Sequence, residues 1–135
     1  MSILKLRVDE LSRQLIDDNR VPVFVEGDTN VNKVRFSIPT GFSDFELTET
    51  TVFRVMYIRP GTDSAVMSNI LEFVENDGLY FYYDWQIASS LFRESGILSI
   101  ALCILNNAQE VQGWHTVPYK INIAPTIHIT LEDDS

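Results

Sequence analysis

The sequence predicts an all-β domain, built as either a sandwich or a barrel. Apolar and polar residues alternate with a period of two along most of the chain, and Leu4, Leu6 and Val8 begin this pattern. Such alternation is typical of half-buried strands. Turn-forming residues recur throughout the sequence at the spacing expected between the strands of a sandwich or barrel. The length of 135 residues fits one domain, assigned to residues 1–135.

The first half of the chain contains alternating segments separated by turns. The predicted strands are 3–8, 21–25, 33–38 and 53–57. Pro39 to Gly41 and Pro60 to Asp63 end two of them, because proline and glycine favour turns over extended strands. Residues 9–20 leave two alternatives open, a helical turn or a second strand paired with residues 3–8.

The second half adds further strands around one long apolar segment. Residues 97–105 contain no charge, which indicates a central strand covered on both faces. Residues 85–94 are expected to form a short helix or a crossing loop, and residues 106–109 a hairpin loop. The remaining predicted strands are 68–74, 79–83, 111–115, 119–123 and 127–131.

The apolar phase of these strands predicts the core. Its expected members are Phe36, Ile38, Val55, Tyr57, Ile100, Leu102, Ile104 and Ile121. Cys103 lies in the central apolar segment, so we interpret it as a small buried hydrophobic residue. A single cysteine excludes an internal disulfide and suits synthesis in a reducing cytosol.

Charge and hydropathy argue against nucleic-acid and membrane partners. The net charge is −9, and the acidic excess lies almost entirely after residue 59. A nucleic-acid-binding domain normally carries a basic patch. The sequence has no apolar run long enough for a membrane helix, and its first residues lack the pattern of a signal peptide. We interpret the acidity as a solvated surface, with an acidic face for a basic partner as the alternative.

No motif predicts an enzyme, a cofactor or a metal site. His115 and His128 are the only histidines, and neither has a second ligand at metal-binding spacing. Nucleophile-elbow, Walker and dinucleotide-binding motifs are all missing from the sequence. A catalytic triad is left open in principle, because its members need not be close in sequence.

Aromatic and basic residues provide the candidate interaction sites. Alternation places Phe81, Tyr83 and Trp85 on one face of a strand, and Tyr80 and Tyr82 on the other. Tyr80, Tyr82 and Trp114 are therefore candidates for a protein-contact surface or for sugar stacking.

A second candidate is a basic stripe. Lys5, Arg7, Lys33 and Arg35 alternate with apolar residues, so they should point outward. If their two strands are neighbours, these side chains form one stripe, and Lys33 and Arg35 are candidates for docking against an acidic subunit surface. The alternative is that they keep an exposed sheet face soluble.

Three stretches resemble a known family. Residues 21–36, with Gly27-Asp28 between two strands, are similar to the opening of small structural domains in tailed phages of Gram-positive bacteria. Residues 83–102, with a Trp-x-Ile step before a long apolar strand, resemble the same domains. Residues 113–118 look like their closing hairpin. The family is the N-terminal domain of baseplate upper proteins, together with related head-fibre modules.

This resemblance implies an immunoglobulin-like antiparallel β-sandwich with one or two short helical segments. It further implies a non-enzymatic structural role in the virion, as a tail, baseplate, head-fibre or decoration module made in the host cytoplasm. The expected partners are other virion proteins, and a homo-oligomer is implied, with a trimer expected by analogy. The alternative function is a carbohydrate-binding sandwich that uses surface aromatic residues.

Overall fold

The computed structural model describes residues 2–17, 24–27, 31–43, 45–48, 51–105 and 112–126. Nearly all regular structure in these residues is β-strand, with one 3-10 turn at Ser89–Phe92. The strands are β1 (Ser2–Asp9), β2 (Gln14–Asp17), β3 (Phe24–Val25), β4 (Val31–Pro39), β5 (Val52–Ile58), β6 (Ala65–Met67), β7 (Glu72–Asn76), β8 (Tyr80–Gln86), β9 (Gly96–Leu105), β10 (Gln112–His115) and β11 (Tyr119–Ala124).

The strands form two sheets. The five-stranded sheet has the order β2-β1-β4-β8-β7. The six-stranded sheet has the order β3-β11-β9-β5-β6, and β10 also pairs with β9. Most pairs are antiparallel, but β1 runs parallel to β4 and β3 runs parallel to β11. The predicted all-β sandwich is confirmed, with sheets that are mixed rather than wholly antiparallel.

The core lies between the two sheets, where the apolar faces of their strands pack against each other. Seven of the eight predicted core residues are buried, and Tyr57 is half-buried and packs against them. Across the sandwich, Phe53 of β5 lies over Tyr83 of β8 with ring centroids 4.2 Å apart. Tyr57 and Trp85 make a second contact between the same strands at 5.6 Å. β5 therefore faces β8, which fixes how the two sheets are stacked.

β9 is the central strand of its sheet. It pairs with β5 on one side and with β10 and β11 on the other. Residues 100–105 are all buried, as expected for a charge-free segment. Cys103 is among them, and burial raises the pKa of its thiol.

The first ambiguous segment forms a strand. Of the two alternatives for residues 9–20, the described part adopts the second, because β2 pairs antiparallel with β1 and sets Leu15 opposite Val8. Leu15 is buried by this pairing. In the second segment, residues 85–94, the chain ends β8 and makes only the 3-10 turn before β9.

The single strand predicted over residues 68–74 is wrong. The chain leaves the six-stranded sheet after β6 and enters the five-stranded sheet at β7. The backbone N–H of Ser68 still donates to the Val55 carbonyl at 2.7 Å, and that of Leu71 donates to the Phe53 carbonyl at 2.8 Å. The intervening chain therefore crosses between the sheets, which an apolar pattern alone does not reveal.

Two buried hydroxyl groups replace strand partners where β6 and β10 end. Ser68 Oγ accepts the Val55 N–H at 2.8 Å and donates to the Asn69 carbonyl at 2.7 Å. Thr116 Oγ1 accepts the Leu102 N–H at 3.0 Å. Both donors lie inside the sheet, where an unpaired N–H group would be costly.

Some predicted features lie outside the described residues. These are residues 18–23 and 28–30, the hairpin loop at 106–109, the start of the strand at 111, the strand at 127–131 and His128.

Candidate functional site

One side of the sandwich ends in two adjacent strand edges. β6 is the last strand beside β5, and β7 is the last strand beside β8. Because β5 faces β8, these two edges lie on the same side of the molecule. We call residues 65–76, which comprise β6, the crossing segment and β7, the open side. Within the described residues, each of its strands is paired along one edge only.

The open side concentrates exposed apolar surface. Nine large apolar side chains are exposed among the described residues, and five of them fall within positions 66–74. These five are Val66, Met67, Ile70, Phe73 and Val74. Exposed apolar residues scattered singly are ordinary, whereas five within nine consecutive positions indicate a candidate interaction surface. Unpaired strand edges add backbone donors and acceptors that another chain can use.

An aromatic series connects this surface to the core. Phe53 is buried, Tyr83 packs on it, and Phe73 packs edge-on against Tyr83 with centroids 5.5 Å apart. Phe73 remains 53% exposed at the outer end of the series. Its ring is thus held from behind by the core while its front stays in water. A ring that is already held in place loses less conformational entropy when a partner binds.

A depression of about 370 Å³ lies beside the same edge. Ile70 and Leu71 of the crossing segment line it, together with Trp85 of β8 and Leu91 of the 3-10 turn. Its polar lining includes Glu72 and Asp84. A cavity lined in part by apolar side chains, with the exposed acid Glu72 beside them, suits an apolar side chain from a strand that also carries basic residues.

The sequence did not predict the open side. The available signal was the pairing of consecutive apolar residues, as in Val66-Met67, Ile70-Leu71 and Phe73-Val74. A strand with one buried face alternates, so doubled apolar positions indicate that a second surface needs them. β7 also contains a bulge between Phe73 and Glu75, which breaks the alternation further.

Tyr80 and Tyr82 lie together on the outer face of the five-stranded sheet. Their ring centroids are 6.3 Å apart and the rings are tilted by 47°, so they do not form a flat stacking platform. Tyr82 donates its hydroxyl hydrogen to the carboxylate of Asp77. This hydrogen bond raises the pKa of Tyr82 to about 12 and lowers the pKa of Asp77. The predicted faces of β8 are confirmed, because Trp85 is buried and Phe81 and Tyr83 pack on the core.

Trp114 does not have the exposure that was expected of it. Only 4% of it is exposed, and its ring packs edge-on against Phe42 at 4.9 Å. The Arg13 guanidinium lies 5.2 Å from the ring centroid. The prediction of Trp114 as a surface aromatic residue is therefore wrong, because the register of β10 turns it toward the core.

The basic side chains do lie on neighbouring strands. β1 and β4 are paired, and Lys5 stands opposite Arg35, with Lys33 opposite Ile3. Arg35 also forms a bidentate ion pair with Asp84 of β8, with Nε–Oδ1 and Nη2–Oδ2 distances of 2.8 and 3.0 Å. This partner raises the pKa of Arg35. Arg35 is thus a fixed part of the sheet, whereas Lys5 is exposed.

Neither a metal-ligand cluster nor a membrane-spanning helix is found among the described residues. They contain no group of three or more His, Cys, Asp or Glu side chains close enough to share a metal ion. His115 is exposed, and its Nδ1 lies 3.1 Å from the Thr116 carbonyl. None of the described helical structure is long and apolar enough to span a bilayer.

A comparison with known protein families finds none that matches this chain. A search of the curated proteins likewise finds no significant relative.

Proposed function

We propose that this chain is a non-enzymatic structural component of a bacteriophage particle, a tail, baseplate, head-fibre or decoration module that works by protein–protein assembly. The observation that carries the assembly role is the open side, with five exposed apolar side chains along two unpaired edges. The virion assignment is supported by the resemblance of residues 21–36 and 83–102 to phage structural domains.

The open side fits a partner that adds a strand. A strand docking on β7 gains backbone hydrogen bonds along its length and places alternate side chains against Phe73 and the neighbouring depression. Glu72 and Glu75 are exposed on the same strand. The partner strand is therefore expected to alternate apolar and basic residues, since acidic edges repel a second acidic strand.

The test has two parts, particle content and contact site. Mass spectrometry of purified particles should detect the chain at a fixed ratio to the major structural proteins. Co-expression with the head and tail proteins encoded beside it should then give a complex that survives gel filtration. Phe73→Asp should abolish that complex, because it puts a charge in place of the most exposed of the five apolar side chains of the open side.

Leu11→Asp is the matched control. Leu11 is 97% exposed in the turn between β1 and β2, far from the open side. The control should leave the complex intact. A chain absent from particles refutes the virion role, and equal binding by both variants refutes the open side as the contact.

Carbohydrate binding is the second candidate, and the pair formed by Tyr80 and Tyr82 on one outer face is the observation in its favour. Calorimetric titration against a panel of glycans tests it. If a glycan binds, and if Tyr80→Ala removes this binding while Phe73→Asp preserves it, sugar recognition becomes the favoured function instead of assembly.

A further inference from the structure

The outer face of the five-stranded sheet carries an ordered charge pattern. Across four neighbouring strands, one row reads Lys5, Arg35, Asp84 and Glu72. The next row runs from Arg7 through uncharged residues on β4 and β8 to Glu75. Cations thus occupy β1 and β4, and acids occupy β8 and β7. We call these two parts the basic half and the acidic half.

The centre of this face is already paired within the chain. Arg35 and Asp84 bind each other across the boundary between the halves, and they are 26% and 7% exposed. The flanks present their charges to water, because Lys5, Glu72 and Glu75 are exposed and Lys33 is half-buried. The pattern therefore has a rigid centre and two oppositely charged flanks.

The face is close to neutral, while the whole chain has a net charge of −9. Its basic half contributes Lys5, Arg7, Lys33 and Arg35. Its acids are Asp84, Glu72 and Glu75, with Asp9 at the far end of β1 and Asp77 hydrogen-bonded to Tyr82. Nearly all of the acidic excess therefore lies elsewhere on the chain. Two copies that meet on this face bring together surfaces with little net charge.

We propose that two copies of this chain pair through this face, stacked about a two-fold axis that runs parallel to the strands. Such an axis lies over the boundary between β4 and β8, so it sets each basic half against the partner's acidic half. It also keeps each row in place, which puts Lys5 near Glu72 of the partner subunit. A two-fold axis perpendicular to the strands would instead stack like charges, so the charge pattern selects one geometry.

The pairing is weak and depends on concentration. Four strands spaced about 4.8 Å apart and about seven residues long cover on the order of 1,000 Å² in total when two faces meet. That area is at the lower end for specific complexes, and exposed ion pairs are individually weak. The contact therefore matters most where many copies are already held close together, as in an assembly.

This proposal does not depend on the phage assignment, and of the open side it uses only the acids Glu72 and Glu75, not the exposed apolar side chains. Phe73 is therefore outside the proposed contact. The test is analytical ultracentrifugation of three proteins at low and high salt. The wild type should show a monomer–dimer equilibrium at low salt, weakened about ten-fold or more at high salt because screening acts on exposed charges. Lys5→Glu/Lys33→Glu and Glu72→Lys/Glu75→Lys should each be monomeric, because each gives the face a large excess of one sign.

An equimolar mixture of the two double variants is the decisive sample. One variant then has an acidic excess on the face and the other a basic excess, so a heterodimer should form although neither variant dimerises alone. Lys120→Glu, at an exposed position on β11 in the other sheet, is the matched control and should keep the wild-type behaviour. Far-ultraviolet circular dichroism verifies that every variant is folded.

Three outcomes overturn the proposal. A wild type that stays monomeric at millimolar concentration shows that the face is only solvated surface. A trimer with no dimer, the state expected by analogy with fibre proteins, shows that another contact drives association. A mixture that remains monomeric shows that the two halves do not meet. The Phe73→Asp variant should dimerise normally, so the failure of self-pairing and the failure of partner binding are separable.

Discussion

Replacing Thr116 by valine tests whether a buried hydroxyl group replaces a missing strand partner. Thr116 is 1% exposed, and its Oγ1 is the acceptor for the Leu102 N–H at 3.0 Å. Valine keeps the shape and removes the acceptor, while the Thr116 N–H can still donate to the Leu102 carbonyl. One buried donor is then left without a partner in a site that water does not reach.

The expected loss follows from that single group. A buried N–H without an acceptor costs about 1–3 kcal/mol. For a domain of this size, each kcal/mol lowers the unfolding midpoint by roughly 4 °C, so the fall should be about 4–12 °C. Denaturant unfolding monitored by tryptophan fluorescence gives the free energy. Amide hydrogen exchange adds a local readout, because the Leu102 amide should lose protection relative to its neighbours on β9.

Thr62→Val is the matched control. Thr62 is exposed, and its hydroxyl donates to the Arg59 carbonyl at 3.0 Å, where water can replace it. The same chemical change should cost less than about 0.5 kcal/mol there. If Thr116→Val is as harmless as the control, or leaves Leu102 exchange unchanged, the hydroxyl is not a structural partner and the reasoning fails.

Two further predictions concern the core and one ionisable pair. Leu102→Ala should lower the free energy of unfolding by about 2–5 kcal/mol because the side chain is fully buried. Ile97→Ala, on the same strand but at a side chain that is 47% exposed, should lower it clearly less. Equal unfolding midpoints for the two variants would disprove the strand register. Ultraviolet absorbance should detect one tyrosine that titrates near pH 12, the raised pKa of Tyr82, and Asp77→Asn should bring it back toward 10.0. Because the pKa of Tyr82 is raised on folding, the hydrogen bond stabilises the fold below pH 10, and this stabilisation is lost as the pH rises toward 12. Because the pKa of Asp77 is lowered on folding, the stabilisation is also lost in strong acid, where the carboxylate is protonated. A tyrosine titration unchanged in Asp77→Asn would contradict the hydrogen bond.

Alternation in the sequence was enough to identify most of the strands and the side chains that fill the core. The reason is that side chains of an extended chain point to opposite faces in turn, so burial on one face writes a period of two into the sequence. Leu102, Val55 and Phe36 were assigned to the core on this basis, and all three are fully buried. The charge-free run around Cys103 likewise indicated the central strand.

The alternating pattern gave a wrong prediction in two places, where pairing with other strands sets the position of a residue. Residues 68–74 look apolar enough for one strand, but they cross from one sheet to the other. Trp114 looked like a surface aromatic residue, and the pairing of β10 with β9 turns it inward. In both cases the outcome depends on how the segment pairs with its neighbouring strands, which the segment's own residues do not specify.

Alternation and composition alone indicate that Lys5 and Arg35 point away from the core and that the chain is acidic. Which strands are neighbours depends on how the sheets assemble. The parallel pairing of β1 with β4 brings Lys5 beside Arg35, and the pairing of β4 with β8 brings Asp84 to Arg35 across 49 residues of sequence. Alternation indicates which face of the sheet a side chain occupies, but it does not specify which strand lies beside it. The open side and the charged face are both made of residues from different strands, so each of them exists only once the sheets have assembled.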